Sequence, residues 1–353
     1  MTRRPFPSLP SRAASVLARR RSPFARLKVA LVTDDLTSEC LARECRVRNV
    51  TPDNHRRILA RWKPDLLFVE SAWKGAKEAW RYGIAAYPDH PERNNDALAR
   101  VVAAAREAGI PAVFWNREDG VHFERFIDSA RLFDRVLTVD ETMLPAYRER
   151  LGPDAKLGVM MFAASPSLHY PAEGPQLRRA AFVGSYGRHV HDARRIWQDM
   201  VFEAARPLGL TVFDRNSDRK PDHYRFPDHP WIEVRPAIPH HHTPRVYRRH
   251  MVNLNVNTIT DSQTAFSRRL VEILGCGGFV LSNRTRAIDT HFADYCHASD
   301  DPAEIGELFD RLCRDGLSPH QQAMRSAASE EVRTNHSWGS RLAGLVDFAL
   351  EAG

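Results

Sequence analysis

The chain is poor in cysteine, and its five cysteines do not pair by spacing. Cys40, Cys45, Cys276, Cys296 and Cys313 are odd in number and contain no Cys-x-x-Cys. That argues against a disulfide framework or a cysteine zinc site and favours a reducing cytoplasm. No apolar run approaches the roughly 18 residues of a membrane span. Residues 1–26 lack acids and lysine altogether but hold seven arginines. Without those seven, 44 basic residues face 44 acidic ones, so the net charge of +7 belongs to the tail and the body is neutral. A nucleic-acid-binding fold would carry its excess charge on the folded body, so no nucleic-acid partner is expected. The tail also lacks the apolar core of a secretory signal. Its Pro, Ser, Ala and Arg composition predicts a disordered leader over residues 1–26. The sharper role open to it is weak contact with an anionic membrane, at up to about 1 kcal/mol per arginine. No short internal repeat is present, and no low-complexity segment beyond the tail.

What is present is alternation. A length of 353 residues suggests two domains of about 150 residues each. In the first half, apolar runs at Leu27 to Val32, Asp65 to Val69, Pro111 to Trp115 and Arg135 to Val139 read as buried strands. Helices are expected over Asn54 to Trp62 and Asn95 to Ala108. A proline- and glycine-bearing stretch, Pro166 to Pro175, reads as a linker. The pattern then restarts with strands at Arg179 to Val183, Leu210 to Phe213, Val252 to Val256 and Phe279 to Ser282, and Ser337 to Leu350 reads as a closing helix. Short strands between longer helices imply α/β domains with parallel sheets. Two such halves would leave a cleft, with ligands at the carboxyl ends of the strands.

Polar clusters fall at those strand ends. In the first half they are Asp34-Asp35, Glu70-Ser71 and Glu118-Asp119. A displacement at a sugar carbon needs a base, and a carboxylate in a partly dry cleft can serve. Asp35 and Glu70 could equally cap the helices that follow. Glu118 and Asp119 are flanked by Trp115 and His122, aromatic surface suited to a sugar. In the second half, Gly184-Ser185 after a strand could let phosphate approach free backbone N–H groups, with Arg188 adding charge. Asn253, Asn255 and Asn257 share one strand face and form either a hydrogen-bond ladder or a ligand-facing wall. His240-His241-His242 read as a polar loop, and His189-x-His191-Asp192 shows no third ligand, so no metal site is expected. Ser267 to Asn283 sets Arg269, Glu272 and Cys276-Gly277-Gly278 around the end of one helix. A cation, a carboxylate and a bare backbone turn together suit a nucleotide diphosphate-sugar.

The second half resembles the C-terminal domain of GT-B glycosyltransferases, most closely the CgeB-type spore-maturation family. The residues that carry the resemblance are Phe182-Val183-Gly184-Ser185, then Arg269-Leu270-Val271-Glu272 with Cys276-Gly277-Gly278, then Ser337-Trp338-Gly339-Ser340-Arg341. The first half is similar to the N-terminal domain that accompanies this family, through Trp62 to Ser71 and Ile110 to Asp119. The resemblance implies a GT-B fold of two Rossmann-like domains facing across a cleft. It implies an acceptor domain over residues 27–170, a nucleotide-sugar donor domain over 176–334, and a terminal helix over 335–353 crossing back onto the first domain. It further implies a metal-independent hexosyltransferase with no cofactor, acting on a cell-surface or spore-type glycan, glycolipid or glycoprotein. The donor would be held by Gly184, Ser185, Arg188, Asn257, Arg269, Glu272, Gly277 and Gly278, with Glu272 on the ribose and Arg269 on the diphosphate. The loop after Trp115 would carry the acid-base group, Glu118 or Asp119. The acceptor would meet Asp35, Glu70, Trp115 and His122. Where many retaining relatives carry a second glutamate, eight residues before Glu272, this chain has Thr264, which leaves the stereochemical outcome open. The alternatives are a catalytically silent GT-B binding protein and a nucleotide-sugar epimerase of the same shape. A response-regulator receiver, echoed by Val32 to Asp35 and Pro64 to Glu70, leaves the second half unexplained.

Overall fold

A computed structural model describes residues 12–218 and 222–350 of the chain. It contains twelve strands and thirteen α-helices among those residues. The strands are β1 Lys28–Val32, β2 Arg46–Asn49, β3 Leu66–Glu70, β4 Ala112–Asn116, β5 Arg135–Thr138, β6 Lys156–Val159, β7 Leu177–Gly184, β8 Leu210–Asp214, β9 Ile232–Pro236, β10 His250–Asn255, β11 Val280–Ser282 and β12 His297–Ala298. The helices are α1 Arg12–Arg19, α2 Asp35–Leu41, α3 His55–Arg57, α4 Asp96–Glu107, α5 Phe123–Ala130, α6 Leu144–Leu151, α7 Asp192–Ala204, α8 Thr243–Arg249, α9 Arg268–Gly275, α10 Arg286–His291, α11 Pro302–Asp315, α12 Pro319–Asn335 and α13 Trp338–Leu350. The expected disordered leader lies outside the described residues as far as residue 11; from Arg12 the chain is helical. No helix among the described residues is long and apolar enough to cross a membrane.

The strands form two six-stranded sheets, parallel throughout. The first runs β2-β1-β3-β4-β5-β6 and the second β12-β11-β10-β7-β8-β9. The reason is in the sequence: β1, β3, β8 and β10 are nearly continuous buried runs, as strands covered on both faces must be. The order in which successive strands are added reverses between β1 and β3 in the first sheet and between β7 and β10 in the second. Those switch points are where open α/β sheets leave a crevice beyond their strand ends.

By contacts the chain divides into two compact units. One ends at Met160 and resumes at Trp338; the other is continuous from Met161 to Ser337. The boundary therefore lies ten residues before the expected end of the first domain at 170. The cause is local: Ala164 pairs in parallel with Ser337, and Met161, Phe162 and Ala164 pack into the core of the second unit. In the first unit, α13 supports the sheet face that carries Phe68 and Trp115, with the Trp338 ring 5.9 Å from Trp115. The second sheet has a core on each face: Phe182, Val252 and Leu254 line one, and Ala181, Val183 and Val280 the other. Polar termini are capped by side chains, as at Thr285 before α10 and in the Ser318–Gln321 capping box of α12.

Candidate functional site

In the second unit the switch point is ringed with arginine. Arg269, in the first turn of α9, lies over the Phe182 ring at 4.7 Å. Gly184 makes this possible, since a Cβ there would sit 2.5 Å from Phe182 Cζ and 2.9 Å from Arg269 Nη2. The guanidinium is buried, its Nη1 has no partner, and among the described residues no ion pair joins it to a carboxylate. Burial, with Arg194 and Arg215 nearby, lowers its pKa to about 9, against an upward pull from Tyr247 and Glu272. Arg194 on α7 reaches the Ser185 carbonyl and Thr258 Oγ1, each at 3.4 Å, and so ties the loop after β7 to the loop after β10. Its pKa is lowered by burial and by Arg215. A pocket beside it is lined by Ser185, Tyr186, Gly187, Arg194, Gln198 and Asn216. Ser267 provides no side-chain cap to α9, although its carbonyl takes the Leu270 N–H at 2.8 Å. Clustered cations with an orphaned donor at a helix start suit an anion.

Glu272, one turn along α9, is also buried. Its Oε1 meets His240 Nε2 at 2.8 Å and Arg268 Nε at 3.0 Å. Burial opposes its charge, but His240 and Arg268 outweigh that and hold the carboxyl well below the usual range. His169 completes the cluster: its ring stands 5.4 Å from that of His240. Ligand atoms of His169, His240 and Glu272 all lie within 4.8 Å of one another, which raises the question of a metal. The donor set does not fit one. His169 Nδ1 accepts the Ser165 backbone N–H at 3.1 Å, and burial lowers the ring's pKa to about 3. A neutral ring accepting at Nδ1 carries its proton on Nε2, leaving no lone pair there for a metal.

In the first unit the switch point holds Asp34, Glu70 and Arg117. Arg117 Nη2 is 2.8 Å from Asp34 and 3.8 Å from Glu118, and its Nε is 3.7 Å from Glu70. Glu70 is fully buried, taking the Asp34 N–H at 2.6 Å and the Thr37 hydroxyl at 2.7 Å. Burial raises it to about 8 against the pull of Arg117. Glu118 is partly exposed and accepts the indole N–H of Trp73 at 3.2 Å. Trp73 is itself held edge-on by His122 and Phe126, each with ring centroids at 5.1 Å.

The candidates from sequence thus fall into two groups. Arg269, Glu272, Gly184 and Ser185 gather at the second switch point, and Glu118 and His122 at the rim of the first. Others face away. Trp115 is 1% exposed with its indole N–H on the Met160 carbonyl, so it offers no face to a sugar. Asp119 is turned inward, accepting from Asn116, Thr138 and Tyr147, and burial raises it to about 7. Glu70 is internal rather than acceptor-facing, because Asp34 and Thr37 use both its oxygens. Asp35 is exposed and accepts the Lys77 N–H at 3.2 Å, while the cap of α2 is Asp34. Asn257 is the hub of an internal ladder with Asn255, Ser282, Asn283 and the Ser267 N–H. Gly277, at φ 66°, closes α9, and a Cβ on Gly278 would meet Ile273 at 2.6 Å; both glycines serve the turn. Arg188 is exposed, with its backbone N–H on the His223 carbonyl.

Sequence reasoning missed Trp73, Arg117, Arg194, His169 and His240. Arg117 stood in full view between Asn116 and Glu118, and Trp73 lies just past a strand end. His169 sat inside the expected linker and His240 inside a histidine run, where nothing local signals burial.

Residues 185–347 match the family model described as glycosyl transferase-like. No curated protein matches the chain. Several solved structures share its fold. A glycosyltransferase from Rickettsia africae superposes with a TM-score of 0.56 at 11% identity, covering 99% of this chain and 98% of its own. The Anabaena protein HepE, solved in complex with UDP and glucose, gives 0.56 at 10% identity over 97% and 95%. A sucrose-phosphate synthase from Thermosynechococcus elongatus gives 0.55 at 12% identity over 91% and 97%. The fold is therefore GT-B: two parallel six-stranded α/β units.

Proposed function

We propose that this chain is a glycosyltransferase whose second unit binds a nucleoside diphosphate-sugar and whose first unit binds the acceptor. The observation that carries this is Arg269: a buried guanidinium with an unpaired Nη1, among cations, at a switch point. An unpaired buried charge is costly unless a ligand completes it. A diphosphate supplies the missing charge and acceptors, and Arg269 and Arg194 then stabilise it as it leaves, without a resident metal or cofactor. That HepE was solved with UDP and glucose supports a donor of this class. Glu118, rather than Asp119, is the acid-base group, because it is the reachable one of the pair. The acceptor oxygen bonds to the anomeric carbon, the bond to the diphosphate breaks, and the acceptor proton passes to Glu118. The acceptor is a cell-surface or spore-type glycan, lipid or glycoprotein modified in the cytoplasm, as the CgeB-type motifs suggest.

The test is a thermal-shift panel of nucleoside diphosphates and nucleotide-sugars on wild type and Arg269→Met. A ligand at about 100 times its dissociation constant should stabilise the wild type by roughly 2.7 kcal/mol. The response should vanish in the variant. No shift with any nucleotide, from folded wild-type protein, would sink the reading.

A further inference from the structure

The Glu272 site contains a donor with no acceptor. His169 is 3% exposed, and its Nε2 has no partner. It is packed tightly, with its Cβ 3.3 Å from where a Cβ of Gly275 would stand, so that the absent side chain on α9 makes its seat. The Ser165 N–H fixes the other ring nitrogen as acceptor, so Nε2 carries the proton. Glu272, three residues before Gly275, offers a carboxylate that can only accept. A hydroxyl or a water can receive one bond from His169 and give one to Glu272, and a nucleotide brings hydroxyls on its furanose ring. A hydroxyl oxygen bonded at about 2.8 Å to two partners at a tetrahedral angle holds them about 4.6 Å apart. One ring nitrogen of His169 and a carboxylate oxygen of Glu272 lie no more than 4.8 Å apart, close enough for one small polar group to bridge the two side chains.

We propose that His169 is a ligand-binding residue: it donates from Nε2 to a furanose hydroxyl of the nucleotide, whose own proton goes to Glu272. This rests on the nucleotide reading above and adds to it a residue that no motif marks. It also gives His240 a role. His240 Nε2 lies 2.8 Å from Glu272 Oε1. The hydroxyl replaces it, and His240, on the short turn His240–His242, moves outward.

The test is calorimetric titration of the full chain with UDP, GDP and ADP, and with the 2′-deoxy and 3′-deoxy forms of whichever binds. Wild type should prefer the ribonucleotide over at least one deoxy form by about 10-fold, the scale of a satisfied hydrogen bond lost. In His169→Phe that ratio should fall by at least about 3-fold, and in His169→Gln, which keeps an N–H donor, it should persist. An unchanged ratio in His169→Phe would overturn the proposal. Should that variant not fold, nitrogen NMR of histidine-labelled wild type decides. An Nε2–H tautomer whose proton shifts when nucleotide binds supports the proposal, and an Nδ1–H tautomer overturns it. Absence of nucleotide binding in wild type is a separate outcome that overturns both readings.

Discussion

At the scale of single residues, the two switch points use charge in opposite ways. In the second unit a cation is buried without a partner; in the first, Asp34, Glu70 and Glu118 surround one arginine. Arg269→Met keeps the apolar stem over Phe182 and removes the unpaired charge. It should leave the melting temperature equal to or above that of wild type while abolishing the nucleotide response, a trade seen where sites are built against stability. Differential scanning calorimetry with and without UDP reads both effects. Glu70 gives a pH prediction. Its pKa rises from an ordinary 4.5 to about 8 on folding, so the folded state holds the proton longer than the unfolded chain. Its ionisation therefore costs stability progressively as pH rises from about 4.5 to about 8. Denaturant midpoints should show that decline in wild type, and Glu70→Gln should flatten it. A slope identical in both proteins would show that Glu70 ionises normally.

At the scale of elements, the sequence made the middles of the sheets readable and hid their edges. Every strand expected from an apolar run is present and lies inside a sheet. The four unexpected strands, β2, β6, β9 and β12, are the four edges. The physical cause is that an edge strand is half solvated and needs no apolar run: Arg46–Asn49 and Ile232–Pro236 are largely exposed, whereas Leu210–Asp214 is buried throughout. The candidate site follows the same logic. Arg269 and Glu272 were legible because a helix, a turn and a strand bracket them. His169 and Arg194 were not, because their importance comes from neighbours distant in sequence. Gly278 tests the bracket itself. Its substitution by alanine would drive a Cβ to 2.6 Å from Ile273 and 3.0 Å from the Tyr247 carbonyl. The expected cost is about 1–3 kcal/mol of overpacking, visible as a lowered denaturant midpoint.

At the scale of the whole molecule, one helix belongs to the unit on the far side of the sequence. Trp338 is 2% exposed, and with Leu342 and Leu345 it forms the buried stripe of α13. Trp338→Ala should remove about 3–5 kcal/mol from the first unit. Hydrogen exchange should then accelerate in β3 and β4 and stay unchanged in β7 and β10. Equal acceleration in both units would show that they unfold as one.

The return of α13 has a consequence for how the protein is made. A ribosome delivers residues in order, so the second unit, uninterrupted from Met161 to Ser337, can fold as soon as it emerges. The first unit begins earlier but must wait. Until Trp338 and the helix behind it leave the exit tunnel, the sheet face bearing Phe68 and Trp115 lacks the cover that α13 gives it, so of the two units the one begun earlier is finished later.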